Sequence, residues 1–167
     1  SGSGTTYTGT LTPSALSDGE HTITAYVYDW DGNKSNVASV TFTVDTVAPT
    51  LTISSPTDGL VTNVAALTVS GTTNDSQGTA VTVTVSLNGT DQGAVTVGSG
   101  GAFSKAITLA TGQNTIVVRA TDAAGKYTEV TRTVTLDQIP PSITSITISP
   151  NPVDGGATYI ISVQVSD

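Results

Sequence analysis

The chain contains no cysteine and no methionine. Disulfide stapling, thiolate metal sites and thiol catalysis are therefore excluded, although the lack of cysteine does not fix the compartment. Positive charge is scarce: five Lys and Arg against thirteen Asp and Glu leave a formal net charge of −8. No nucleic-acid partner is expected, because phosphate recognition needs clustered Lys and Arg. Charged residues make up only 11% of the chain, a low share for a cytosolic enzyme. No apolar run approaches the ~20 residues that span a bilayer, and no basic, apolar leader is visible. No membrane insertion is expected.

What the chain has in abundance is valine, isoleucine, threonine, serine and glycine, which suit pleated strands joined by tight turns. Apolar residues alternate with polar ones at Ile23, Ala25, Val27; Val40, Phe42, Val44; Val81, Val83, Val85; and Ile116, Val118, Ala120. Period two puts the apolar set on one face of a strand. Turn signals such as Asp58-Gly59 and Asn88-Gly89 separate these runs. Helical periodicity is nearly absent, so the chain reads as all-β.

The sequence also repeats itself. Leu16-Ser-Asp-Gly19-Glu-His21-Thr-Ile23 returns as Leu109-Ala-Thr-Gly112-Gln-Asn114-Thr-Ile116. Asp29-Trp-Asp-Gly32 returns as Asp122-Ala-Ala-Gly125, and Asp45-Thr-Val-Ala-Pro49 as Asp137-Gln-Ile-Pro140-Pro141. Asp45 and Asp137 stand 92 positions apart, as do Asp75 and Asp167. That period fits the ~100 residues of an immunoglobulin-like sandwich. The L-x-x-G-x-[HN]-T-I segment, the D-x-x-G hairpin and the D-x-x-x-P junction resemble those of bacterial Ig-like domain families. Such domains occur in adhesins, surface-layer proteins and accessory modules of secreted glycosidases. The resemblance implies Ig-like β-sandwich repeats in tandem, at an extracellular or bacterial cell-surface location. Their neighbours would be Ig-like repeats of the same or another copy of the chain.

On this reading residues 1–45 hold the C-terminal strands of a first repeat, with Tyr7 matching Phe103 and Leu11 matching Ile107. Residues 46–138 form a complete domain, and residues 139–167 hold the N-terminal strands of a third repeat. Strands of the middle domain are expected near residues 50–54, 66–71, 81–88, 93–97, 102–108, 115–121 and 127–136. The tryptophan and cysteine pair of antibody domains are missing from the middle repeat, so its core should be aliphatic.

Catalytic patterns are absent. There is no G-x-S-x-G elbow, no H-E-x-x-H and no glycine loop opening a helix. His21, the only histidine, stands where the next repeat has Asn114. A side chain replaceable by asparagine suits hydrogen bonding in a turn better than base catalysis. The chain is expected to be no enzyme.

Two features are candidates for binding. Asp45, Asp75 and Asp122 fall in loops that the sandwich topology brings to one domain junction, and Asp137 and Asp167 repeat the pattern at the next. Ca2+ takes about six to eight oxygen ligands from carboxylates, carbonyls and water, which these loops could supply. The alternative is that each aspartate caps its own turn. Second, if Ile23, Ala25 and Val27 face inward, Tyr26 and Tyr28 face outward with Trp30 next along the hairpin. That stripe could stack on a glycan or a neighbouring chain, or simply pack on its own surface. The leading expectation is a spacer repeat of an extracellular fibre or adhesin, assembling end to end. The alternative is a carbohydrate-binding accessory module of a secreted polysaccharide-active enzyme.

Overall fold

A computed structural model describes residues 8–10, 12, 16–149, 151–152 and 154–167. The expected strand around Tyr7 and Leu11 lies outside the described residues at both of those positions. The first described elements are β1 (Gly19–Ala25) and β2 (Ala38–Val44), an antiparallel pair in register from Gly19↔Val44 to Ala25↔Ala38. Beyond Ala25 the ladder stops. A single bridge between Tyr28 and Lys34 carries the chain into a turn at Trp30 and Asp31.

The next strands build two facing sheets. β3 (Thr50–Ser55), β5 (Ala66–Asn74) and β8 (Ala102–Thr108) form an antiparallel sheet in the order β3-β5-β8. The other sheet uses β4 (Leu60–Thr62), β6 (Thr82–Leu87), β7 (Thr90–Asp91), β9 (Gly112–Thr121) and β10 (Tyr127–Leu136). Its order is β4-β10-β9-β6-β7, with β4 parallel to β10 and every other pair antiparallel. The chain thus crosses from one sheet to the other between β3 and β4.

Period two explains how the sheets close on each other. Along β9, Asn114, Ile116, Val118 and Ala120 are buried while Thr115 and Arg119 face water. Ile53, Val69, Phe103 and Ile107 supply the core from one sheet; Val83, Val85, Leu87, Val134 and Leu136 join the β9 residues from the other. Burial of such a side chain stabilises by roughly 1.5–3 kcal/mol, so this layer dominates the fold's stability. Gly71 marks a close approach between strands: a Cβ there would meet the Thr52 carbonyl oxygen and the Phe103 ring. The protein is an all-β, immunoglobulin-like β-sandwich, and its core is aliphatic except for Phe103, where a wholly aliphatic one was expected.

One strand expectation fails, and the short strands β4 and β7 were not expected. Residues 93–97 form no ladder: Val95 bridges Val83 in one sheet, whereas Val97 bridges Phe103 in the other. A segment that crosses between sheets cannot keep register in either, and Gly93, at φ 80°, breaks its pleat at the start. β4 went unread because three residues are too few to show a period. It is fixed from outside, by Gly59 N–H on the Thr133 carbonyl (2.9 Å) and by Asp58 Oδ1 accepting from Thr133 N (2.7 Å) and Oγ1 (2.9 Å).

β11 (Ser142–Ser149) and β12 (Ile160–Ser166) form a last antiparallel pair. Each of the pairs β3–β5 and β11–β12 has one register shift, at the end of β3 between Ile53 and Ser55 and near the start of β11 between Ile143 and Ser145. Among the described residues, β1–β2 and β11–β12 pair with no further strand. Ile23 and Val40 on the first pair, and Ile146, Ile161 and Val163 on the second, remain exposed. The inward face expected for Ile23, Ala25 and Val27 is therefore uncovered by any described residue.

Candidate functional site

The segment from Asp45 to Pro49 enters the sandwich, and hydrogen bonds hold it at both ends. Asp18, in the turn before β1, accepts from Thr46 N (3.0 Å) and Thr46 Oγ1 (2.8 Å) through Oδ1. At the far end, Thr128 Oγ1 donates to the Pro49 carbonyl at 2.5 Å. Pro49 itself is buried, and its ring removes backbone freedom. In the sequence Asp18 stands out only as part of the repeated turn segment, with no partner assigned to it. The Asp18–Thr46 contact spans 28 positions and leaves no short-range pattern to find.

Three loops lie at this end of the sandwich. Thr50 pairs with Asn74, which sets Asp75 beside the entering segment. Thr128 pairs with Ala120, so the Pro49 contact also places the β9–β10 turn and its Asp122 there. Asp45, Asp75 and Asp122 are all buried. Their hydrogen bonds differ. Asp75 is used by its own loop: Oδ1 accepts from Gln77 N at 3.1 Å, and Oδ2 from Thr79 N at 2.8 Å and from the Thr79 hydroxyl. Those donors, the Thr79 hydroxyl first, hold its carboxyl below the ordinary range. Asp45 Oδ1 accepts from Val47 N at 3.1 Å and Asp122 Oδ1 from Lys126 N at 2.9 Å. The second oxygen of each, Oδ2, is buried and has no donor.

The expected convergence of three carboxylates on one point does not appear. Among the described residues, no three His, Cys, Asp or Glu side chains are gathered to hold an ion. Asp137 repeats the local turn of Asp45, with Oδ1 accepting from Ile139 N at 3.0 Å, but it is exposed. Asp167 is exposed too.

The aromatic residues sit past the end of β1 rather than along it. Tyr26 and Tyr28 meet edge to face at 5.7 Å, and Lys34 Nζ lies 3.8 Å from the Tyr26 ring centre. Trp30 is fully open, at 102% relative exposure. Cation–π contact covers part of Tyr26, so Tyr28 and Trp30 present the freer rings.

His21 bonds the Ser17 carbonyl at 2.7 Å and stacks on Phe42. Its counterpart Asn114 bonds the Ala110 carbonyl at 2.7 Å, also four residues back. The two side chains do the same work in the same turn. A shallow hollow of about 220 Å³ between Asp75, Thr79, Val97 and Gly101 has no histidine and only one carboxylate, Asp75, already bonded to its own loop.

Compared with known proteins, residues 49–138 match the family described as glucodextranase, domain B, and residues 2–46 match the bacterial Ig-like domain family. Bacillopeptidase F of Bacillus subtilis (strain 168) is 36% identical over 113 residues, covering 68% of this chain and 7% of that protein. The chain thus spans a small fraction of that relative's length. Among solved structures, the fibronectin(III)-like modules of Clostridium thermocellum CbhA align over 73% of this chain and 64% of theirs. Their identity is 20% and the TM-score 0.49. An engineered protein aligns over 53% of this chain and 20% of its own, at 27% identity and a TM-score of 0.42.

Proposed function

We propose a structural role, starting from the fact that the chain belongs to the glucodextranase domain B family: it is a spacer repeat of an extracellular bacterial protein. The observation that carries this reading is the doubly held junction. Asp18 fixes Thr46 and Thr128 fixes Pro49, so the five-residue connection has little slack. A joint of that kind transmits orientation from one module to the next, which a flexible Gly/Ser linker does not. Names of the matched proteins point the same way. Glucodextranase and bacillopeptidase denote enzymes of polymeric substrates, and this chain corresponds to a domain B of one and to 7% of the other. An accessory part that holds working domains apart, or extends a surface fibre, fits both.

Neighbouring Ig-like repeats, of the same or another copy, are the partners in this proposal. They would supply the strands that cover the open faces of β1–β2 and β11–β12. Small-angle scattering tests the spacer reading. The expected result is a radius of gyration well above the roughly 15 Å of one compact domain of this length. A compact value, or an extended one unchanged when Asp18→Ala and Pro49→Gly loosen the joint, would sink it.

The exposed Tyr28 and Trp30 rings favour a second reading, a carbohydrate-binding accessory module. Glycan-array binding that disappears in Trp30→Ala would support it. No binding to any glycan by the parent protein would remove it.

A further inference from the structure

Asn88 and Gly89 make the whole turn between β6 and β7, since Leu87 and Thr90 pair on either side of them. Both have positive φ, 52° and 80°, the two-residue hairpin turn that asparagine followed by glycine suits best. Asn88 is the one asparagine of the chain followed by glycine, and both residues are exposed. That pair is chemically special. Glycine has no side chain to shield its amide nitrogen, and a Cβ added at Gly89 would meet nothing within 4 Å. The nitrogen is therefore open to attack the asparagine side chain that precedes it.

Two hydrogen bonds stand in the way. Asn88 Oδ1 accepts from Thr115 N at 2.8 Å, and Asn88 Nδ2 donates to Asn114 Oδ1 at 3.1 Å. Both tie the amide to the start of β9, so it must leave them before its Cγ can reach the Gly89 nitrogen. Asn114 does not yield. It is fully buried, its Oδ1 accepts from Ala110 N, and its Nδ2 donates to the Ala110 and Gly112 carbonyls. A flip of that amide would set Nδ2 against an N–H group and Oδ1 against two carbonyls.

We propose that Asn88 is a site of spontaneous deamidation, held in check by Asn114 and Thr115, whose product loosens the β6–β7 hairpin. The Gly89 nitrogen bonds to Asn88 Cγ, the Cγ–Nδ2 bond breaks, and Nδ2 leaves as ammonia with the Gly89 proton. Water then opens the succinimide ring at either of its carbonyls, giving aspartate or isoaspartate at position 88. Aspartate lacks the Nδ2 donor, so an ionised oxygen faces Asn114 Oδ1 and the pair loses its bond. Isoaspartate adds a backbone atom to the two-residue turn, which no longer fits the Leu87–Thr90 register. The inference does not depend on the spacer reading, since it concerns the chemical lifetime of one turn.

The folded full chain, kept for weeks in mildly alkaline buffer, is the sample, and peptide mapping by mass spectrometry is the readout. Deamidation changes the mass and isomerisation of aspartate–glycine pairs does not, so the mass gain reports amide loss alone. Product should accumulate at Asn88 before any other asparagine, and more slowly in the folded chain than in denaturing urea. Asn114→Ala should speed the folded-state reaction about two- to tenfold, the factor that loss of one hydrogen bond allows. In urea the same variant should react at the parent's rate. Gly71→Ala is the control for global unfolding, because it strains the facing sheet at Thr52 and Phe103 and should leave the rate at Asn88 unchanged. The site is overturned if Asn88 stays intact or reacts after another asparagine. The restraint by Asn114 and Thr115 is overturned by equal rates in the folded chain and in urea, by an unaltered rate in Asn114→Ala, or by equal acceleration in Gly71→Ala. The comparison of folded and urea-treated parent decides the matter even if the Asn114 variant does not fold.

Discussion

Asn114 shows what a single side chain contributes here. It is fully buried and makes four bonds: Nδ2 donates to the Ala110 and Gly112 carbonyls, while Oδ1 accepts from Ala110 N and Asn88 Nδ2. Removing it takes their partner from the Ala110 and Gly112 backbone groups of a part-buried turn and leaves a void at a fully buried position; a lost bond of this kind costs up to about 1–3 kcal/mol. Asn114→Ala should therefore lower stability by at least about 2 kcal/mol in urea unfolding. Asn114→His should recover part of that loss, because His21 makes the equivalent bond to Ser17. The exchange of histidine for asparagine at this position was legible in the repeat, and its hydrogen-bonding reason followed from side-chain chemistry. Asp58 gives a pH-dependent case. Thr133 N–H, then the Thr133 hydroxyl, holds its carboxyl below the ordinary value of 3.8. A depressed folded value means its contribution is complete above the unfolded value and disappears as pH falls through the folded one. Denaturant midpoints at pH 7 and below pH 3 should show a difference between the parent and Asp58→Ala that shrinks at the acid end. A constant difference would contradict this sign.

At the scale of elements, legibility followed the length of the period. β9 and β10 each run ten residues, and β8 seven, so their alternation is visible in the sequence. β4 has three residues and its parallel partner β10 lies 74 positions away, so nothing local announces it. Residues 93–97 deceived for the opposite reason, since Val95 and Val97 alternate as a strand would but serve two different sheets. Of the candidate site, the junction aspartates and the turn bonds were readable. The free Oδ2 atoms of Asp45 and Asp122 were not, because burial at a junction is a tertiary property. Gly71 is likewise silent in sequence. It lies in the middle of β5 with extended backbone, opposite Ile53 and Phe103. An added methyl would meet the backbone oxygen of Thr52, which cannot rotate away. Overpacking of this kind costs typically about 1–3 kcal/mol. Gly71→Ala should fall within or above that range by chemical denaturation, whereas Gly155→Ala, with open space around it, should be near neutral.

On the scale of the whole molecule, the chain distributes its apolar burial unevenly. Between Thr50 and Leu136 the core residues are sealed between two sheets: Val69, Val85, Ile116, Val118 and Val134 have no exposed surface. In β1–β2 and β11–β12 the corresponding side chains face solvent; Val40 is 60% exposed and Ile146 61%. A lone two-stranded pair is at best marginally stable in water, because it gains strand bonds without burying a face. Local opening should therefore be easy in these pairs and rare in the sandwich. Hydrogen exchange of the chain in dilute solution should show slow amides in β6, β9 and β10 and fast ones in β1, β2, β11 and β12. The open faces also define where partners bind, since large uncovered apolar surface favours association. Raising the concentration should slow exchange in the two outer pairs while leaving the sandwich unchanged, if strands from a second copy cover them. Fusing further Ig-like repeats to either end should produce the same protection in a strictly monomeric protein. Equal, strong protection of all four outer strands in a dilute monomer of this chain would falsify the uncovered-face argument, because no described strand is there to provide it.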